Sequence, residues 1–237
     1  MTSCANFRPA GGSRWTAVLG VFGFLAVLVS TGCVHPPVND SARIGPFFQP
    51  TNVSAEPLLV GIRRVVILPT WGGTAAPNES LAALDPVFVA ALQQENRFEV
   101  VALSREECLR RFRNEAISSA AALPHDLLAT LRREMGADAV LFVDVTAFAA
   151  YRPLALGLRA KLATLENTRL VWTFDNVFSA DDPKVANAAR HFYLESDTRG
   201  VPADLTPAVL QSPSRFAAYA AAAMFRTLPP VTISAAQ

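Results

Sequence analysis

Apolar positions along the chain fall into three rhythms, and each predicts a different kind of element. Residues 64–69 (RVVILP), 98–103 (FEVVAL) and 139–145 (AVLFVDV) are short, nearly unbroken apolar runs. Runs of that length, rich in Val, predict strands, the first of them buried on both faces. Between them the apolar spacing lengthens to three and four. Phe88, Ala91 and Leu92 predict a helix opened by Asp85 as N-cap, with Pro86 at its first position. Ser104-Arg105-Glu106-Glu107 has the form of a capping box and predicts a second helix, with Cys108, Leu109 and Phe112 inward. Residues 125–135 predict a third, with Leu127, Leu128, Leu131 and Met135 inward and Gly136 just past its end.

The third rhythm begins at Leu154. Leu154, Leu156, Leu158, Ala160 and Leu162 alternate with Ala155, Gly157, Arg159, Lys161 and Ala163. A period of two is that of a half-buried strand. Glu166-Asn167-Thr168-Arg169 turns the chain, and residues 170–179 return as the partner, so a long antiparallel hairpin is expected. Asp182-Pro183 then opens a helix with Val185, Ala188, Ala189 and Phe192 on one face. Ser212-Pro213 opens another, with Phe216, Tyr219, Ala220 and Ala223 inward. The expected fold class is α/β: a mixed parallel and antiparallel sheet of about five strands flanked by helices, with a long β-hairpin and extra C-terminal helices.

The first 57 residues follow other rules. Residues 15–29 are an uninterrupted apolar run behind Arg8 and Arg14, and no acidic residue precedes Asp40. A basic start, an apolar stretch and small residues at its exit describe a secretory signal peptide. The 18 uncharged residues from Trp15 to Gly32 sit at the short end of what a bilayer span needs, which favours a cleaved leader over a retained transmembrane helix. Prolines at 36, 37, 46, 50 and 57 predict an extended tether, with Phe47 and Phe48 placed to dock part of it. The organisation read this way is a leader at 1–32, a Pro-rich tether at 33–57 and a single α/β domain at 58–237.

Charge and chemistry narrow the function mostly by what they leave out. Without Arg8 and Arg14 the formal charge moves from +1 to −1, whereas a nucleic-acid binder normally carries a basic excess, so no nucleic-acid partner is expected. Cys4 leaves with the leader and Cys33 stands at its end, so Cys108 has no internal disulfide partner and reads as a small buried hydrophobe. His35, His125 and His191 have no ligand spacing, and no metal is expected. Residues 70–74 (TWGGT) lie where phosphate loops occur, but no complete phosphate-loop motif is present. Asp181, Asp182 and His191 lie close in sequence, yet Asp182 has a capping role and nothing supplies a nucleophile. Arg110, Arg111 and Arg113 are balanced by Glu106 and Glu107 at helical spacing and read as a solvated face. No catalytic residue, cofactor or small-molecule substrate is assigned.

Two stretches resemble known families. Leu28-Val29-Ser30-Thr31-Gly32-Cys33 resembles the lipobox of bacterial lipoproteins. The resemblance implies cleavage between Gly32 and Cys33, then a diacylglyceryl group and an amide-linked acyl chain on Cys33 as the new amino terminus. One acyl chain anchors only marginally, and more than one holds a protein stably. Val34, rather than Asp, fits the outer-membrane sorting habit of such proteins. Downstream, residues 65–69, 98–101 and 136–143 follow an order that resembles a periplasmic α/β module. Its members are the amino-terminal domain of the Tol-system propeller protein, the curli-secretion lipoprotein and the LpoB-type activators of peptidoglycan synthases. The likeness spans residues 64 to about 180. It implies a non-enzymatic, lipid-anchored module that binds an envelope protein or assembles with itself, but its matching positions are core positions, so partner-binding residues stay unknown. A second reading is a subunit of an oligomeric curli-type secretion pore, since the hairpin strands reach the ~9–11 residues that span a membrane. An envelope enzyme is the third.

Overall fold

The structure, a computed structural model, describes residues 40–196 and 206–232. The leader, Gly32 and Cys33 lie outside the described residues. In chain order the elements are α1 (Ser41–Ile44), β1 (Val53–Ala55), β2 (Leu59–Val60), β3 (Arg64–Ile67), α2 (Asn78–Gln94), β4 (Glu99–Ala102), α3 (Arg105–Phe112), α4 (Leu127–Met135), β5 (Ala139–Ala149), β6 (Ala155–Thr164), β7 (Leu170–Ser179), α5 (Pro183–Ser196), a 3-10 helix (Thr206–Gln211), α6 (Pro213–Phe225) and β8 (Val231–Thr232).

The three apolar runs become β3, β4 and β5. β3 sits between the other two and is parallel to both. Its residues alternate between two cores: Val65 and Ile67 join one, Val66 and, just past its end, Leu68 the other. A strand covered on both faces needs apolar side chains at every position, which is why the run is unbroken. α2, α5 and α6 cover the first face, and α3 and α4 the second. β5, β6 and β7 then form an antiparallel meander, giving a six-stranded mixed sheet in the order β1-β7-β6-β5-β3-β4.

The alternating leucines settle which face of the hairpin is buried. Leu154, Leu156, Leu158, Ala160 and Leu162 are all 2% exposed or less. Opposite them, Trp172, Phe174 and Phe178 point into the same core, and Phe178 meets Tyr219 of α6 edge-on at 5.7 Å. The Trp172 indole N–H donates to Thr227 Oγ1 at 3.1 Å, so this large ring buries its polar atom with a partner. Burying one such leucine stabilises the fold by about 1.5–3 kcal/mol.

Several capping readings hold, and one does not. Ser104 caps α3 by accepting from the Glu107 N–H, and Ser212 caps α6 by accepting from Arg215. Asp182 accepts from the Lys184 N–H at the start of α5. Gly136 ends α4 at φ 59°, a left-handed conformation that costs glycine no Cβ clash. Asp85, however, is not an N-cap. α2 starts at Asn78 and carries Pro86 in its interior. Leu81 and Leu84 extend the stripe of Phe88, Ala91 and Leu92 backward by two turns, and all five are buried. Their burial outweighs the penalty of about 3 kcal/mol for an internal proline.

Other features add to or differ from the sequence reading. Residues 40–57, read as part of a tether that Phe47 and Phe48 help to dock, pack on the domain. Asp40 pairs with Arg190 at 3.0 Å, the Phe47 ring stacks on His191 at 4.4 Å, and β1 adds to the edge of β7. Proline prevents helix, but it leaves an extended chain free to supply an edge strand. Leu109 is 44% exposed rather than inward. Finally, β2 and β8 pair in parallel as a separate two-stranded ribbon, each only two residues long and too short to show a period.

Candidate functional site

In doubly wound sheets, ligands bind beyond the C-terminal end of the strand where the crossovers part to opposite faces. Here that strand is β3. α2 leads away from it on one face, and α3 and α4 return past it on the other to β5. The place is occupied by the chain itself. Asp85 of α2 accepts the Thr70 N–H at 2.8 Å, and Arg105 of α3 donates to Asp85 at 2.7 and 3.1 Å. The same guanidinium donates to the Thr70 carbonyl at 2.7 Å. Thr70 is thus held at both its amide and its carbonyl, and two helices on opposite faces are clamped over the strand end.

The glycine loop after Thr70 is tied down too. Trp71 donates to the Val143 carbonyl at 3.0 Å and accepts from Val145 at 2.7 Å, joining the loop to β5. Ala75 donates to Gly72 at 2.8 Å. Gly72 is packed so closely that a Cβ would lie 2.7 Å from a Leu81 methyl. A phosphate cradle needs main-chain N–H groups free to point at the ligand. The amides of Thr70, Trp71 and Ala75 are already engaged.

A second polar cluster lies on β5. Asp144, 0% exposed, accepts from Ser118 Oγ at 3.1 Å, from Ser119 Oγ at 2.8 Å and from the Ser119 N–H at 3.1 Å. Arg159, directly across the ladder, pairs with Asp175 instead at 2.8 Å. Lys161 Nζ donates to the Ser119 carbonyl at 2.8 Å. The carboxylate therefore pins the loop after α3 to the sheet. Its donors are spent on it, and none of the clefts described below reaches it.

One cleft, of about 740 Å³, is a groove between α2, α5 and α6. Ala90, Ala91, Ala218, Ala222, Phe192 and Tyr193 are among its lining, and Arg226 lies 5.7 Å from the Phe192 ring. The Tyr193 hydroxyl donates to the Arg215 carbonyl at 3.0 Å, and burial pushes its phenol pKa up. A smaller cleft of about 230 Å³ at the opposite end of the sheet is lined by Glu56, Asp138, Glu166, Arg132 and Arg169. Its charges answer one another: Arg169 pairs with Glu56 at 2.8 Å, and Asp138 accepts from the Arg63 and Arg64 amides. A third, of about 550 Å³, is lined by Asn96, Arg97, Leu228, Pro230 and Val231.

The remaining candidates from the sequence are dispersed. His191 docks the amino-terminal segment, its Nδ1–H donating to the Ala42 carbonyl at 2.9 Å, and its Nε2 lies 3.2 Å from Glu195. Asp182 caps α5, and the two do not form a group. Cys108 is buried, and desolvation raises its thiol to about 11. Arg111 bridges Glu107 and Glu134, while Arg110 sits 3.7 Å from Glu107. Gly32 and Cys33 lie outside the described residues. Among the described residues no group of three or more His, Cys, Asp and Glu could hold a metal ion. Sequence reasoning passed over Asp144 and the Asp85–Arg105 clamp. An aspartate inside an otherwise apolar buried run was the available signal for the first.

No protein-family model matches the chain, and no curated protein matches it. Solved structures similar to it include the C-terminal domain of LpoB from Salmonella enterica, at 17% identity and TM-score 0.33, covering 52% of this chain and 86% of that one. TolB from Acinetobacter baumannii is similar at 12% identity and TM-score 0.30, covering 65% of this chain and 32% of that one. The lipoprotein GNA1162 from Neisseria meningitidis is similar at 15% identity and TM-score 0.33, covering 49% of this chain and 79% of that one. LpoB and TolB are members of the group that the sequence pattern resembles.

Proposed function

We propose that this chain is an envelope lipoprotein, cleaved before Cys33 and held at the outer membrane by acyl chains on that residue. Its α/β domain then works in the periplasm as a non-enzymatic protein-binding or assembly factor. The observation that supports this reading best is the filled crevice at the end of β3. There Asp85, Arg105 and Thr70 bind one another where related sheet architectures admit a ligand. Recognition is left to the outer surface, where the groove of small and aromatic side chains has the composition that protein partners bury. No cofactor enters this reading. The pore alternative needs the hairpin leucines to face lipid, and the chain's own core covers them.

Metabolic labelling with a fatty-acid analogue tests the anchor. The parent chain should take up label and sediment with outer membranes, and Cys33→Ser should do neither. An unlabelled parent, or a labelled Cys33→Ser protein, would overturn the proposal.

A further inference from the structure

The two edges of the six-stranded sheet are treated differently. Along β7, residues 48–56 lie as a cover. β1 pairs over Val53 to Ala55, Asp175 donates to the Asn52 carbonyl at 3.0 Å, and the Asn176 side chain takes the Thr51 N–H and reaches Asn52 O. At the other edge, among the described residues, β4 pairs with β3 alone. Glu99 donates to Arg63 at 2.8 Å and Leu103 to Ile67 at 3.0 Å. By the two-residue period of a strand, Val101 also faces β3, and the N–H and C=O groups of Val100 and Ala102 face outward. Among the described residues no group meets them from that side.

An open edge is a template for another strand, and proteins usually blunt it with proline, lysine, a bulge or an inward charge. β4 reads EVVA; at four residues it is short, itself one of the devices that limits such pairing, but it has no proline, lysine or bulge to block one more strand. Its one charge, Glu99, is gripped twice by Arg64, at 2.9 Å in both contacts. The flanks are apolar. α3 turns Cys108 and Phe112 into the sheet and Arg111 toward Glu134 of α4, which leaves Leu109, 44% exposed, on the flank away from α4. α2 turns Val87, Ala90 and Gln94 to the groove, so half-buried Val89 lies on its opposite flank.

We infer that this edge is a homodimer interface, in which a second copy of the chain adds β4 antiparallel to β4. The strand is self-complementary in one register. Val100 of one copy then stands opposite Ala102 of the other, and the reverse, so every outward N–H and C=O finds a partner. The two-fold axis passes through Val101, whose counterpart sits at a non-hydrogen-bonded position with Cα atoms about 4.5 Å apart. Glu99 falls opposite Leu103, so no like charges meet. Such an interface uses the same patch on both copies and closes on itself. The fit of β4 to itself is what selects a second copy over a foreign strand. The inference rests on the binding-factor reading only in naming one of its partners, and it holds or fails independently of acylation at Cys33.

The test uses the full chain in mild detergent. Sedimentation and light scattering should report a dimer at micromolar concentration. Ala102→Pro should be a monomer with unchanged circular dichroism and unfolding midpoint. The N–H it removes points outward, and proline is tolerated at such an edge position. Val101→Cys should oxidise to a covalent dimer across the axis, within disulfide reach. Glu106→Cys, on the exposed side of α3, should not exceed the parent background. Were Ala102→Pro to unfold, the paired cysteine variants decide alone. A monomeric parent, a folded Ala102→Pro dimer, or equal cross-linking of the two cysteine variants overturns the inference. None of these outcomes alters fatty-acid labelling, so failure here is distinct from failure of the anchor.

Discussion

Removing the Asp144 carboxylate should loosen the loop after α3 and cost a measurable part of the domain's stability. In the native chain the carboxylate is fully buried and is met by two hydroxyls and one amide. Taking a charge out of water costs several kcal/mol, and those three donors offset it. Asp144→Ala removes both the charge and its burial cost. What remains is a set of donors with nothing to meet. The hydroxyls of Ser118 and Ser119 can rotate toward other acceptors, but the Ser119 N–H is fixed by the main chain. An orphaned buried donor costs about 1–3 kcal/mol, and the small cavity adds to it, so about 3 kcal/mol is expected in all. Asp144→Asn keeps one oxygen for the Ser119 N–H and offers the hydroxyls an N–H to accept from. Its cost should be about 1 kcal/mol. Urea unfolding of residues 40–237, followed by the fluorescence of Trp71 and Trp172 and by circular dichroism, measures both. Hydrogen exchange at the Ser119 amide should rise sharply in Asp144→Ala and little in Asp144→Asn. If Asp144→Ala unfolds within about 0.5 kcal/mol of the parent, or the two variants are equal, the pinning role is wrong.

Two further outcomes follow from buried groups. Among the described residues the Tyr219 hydroxyl is buried without a hydrogen-bond partner, and desolvation raises its pKa. Tyr219→Phe should therefore be neutral or stabilising by up to about 1 kcal/mol, and a loss of more than that in urea unfolding would show a partner that the geometry lacks. The Cys108 thiol is raised from 9.0 to about 11 by desolvation, so the folded chain keeps a proton that the unfolded chain loses. The thiol's contribution to stability should be level below pH 9.0 and fall as pH rises toward about 11. Tyr193 and Tyr219 are shifted in the same direction, so Cys108→Ala should remove only part of that slope. A slope unchanged by Cys108→Ala would contradict the burial of the thiol.

The residue pattern alone determined the strands that become β3 to β7, the meander's buried face, and the capped starts of α3, α5 and α6. These are properties of short range. A buried strand must be apolar throughout, a half-buried one must alternate, and a cap bonds an amide two or three residues away. Asp85 shows where that range ends. Asp followed by Pro satisfies the local rule for a helix start, yet Leu81 and Leu84 carry the helix back past it, because a core already built by β3 and β5 has room for them. Freed from capping, the carboxylate turns to Arg105, twenty residues away, and to Thr70 across the strand end. The proline-rich segment is a similar case: Phe47 and Phe48 signal that part of it docks, but nothing within it says where. Its order comes from the uncovered edge of β7, from Arg190 and from the Phe47–His191 stack, partners that lie more than a hundred residues downstream. Asp144 likewise stands in an apolar run with no local explanation, since its donors belong to a loop 25 residues earlier. Only the folded chain brings such groups together, because hydrogen bonds and ion pairs act over a few ångströms, and sequence distance says nothing about which groups will come that close.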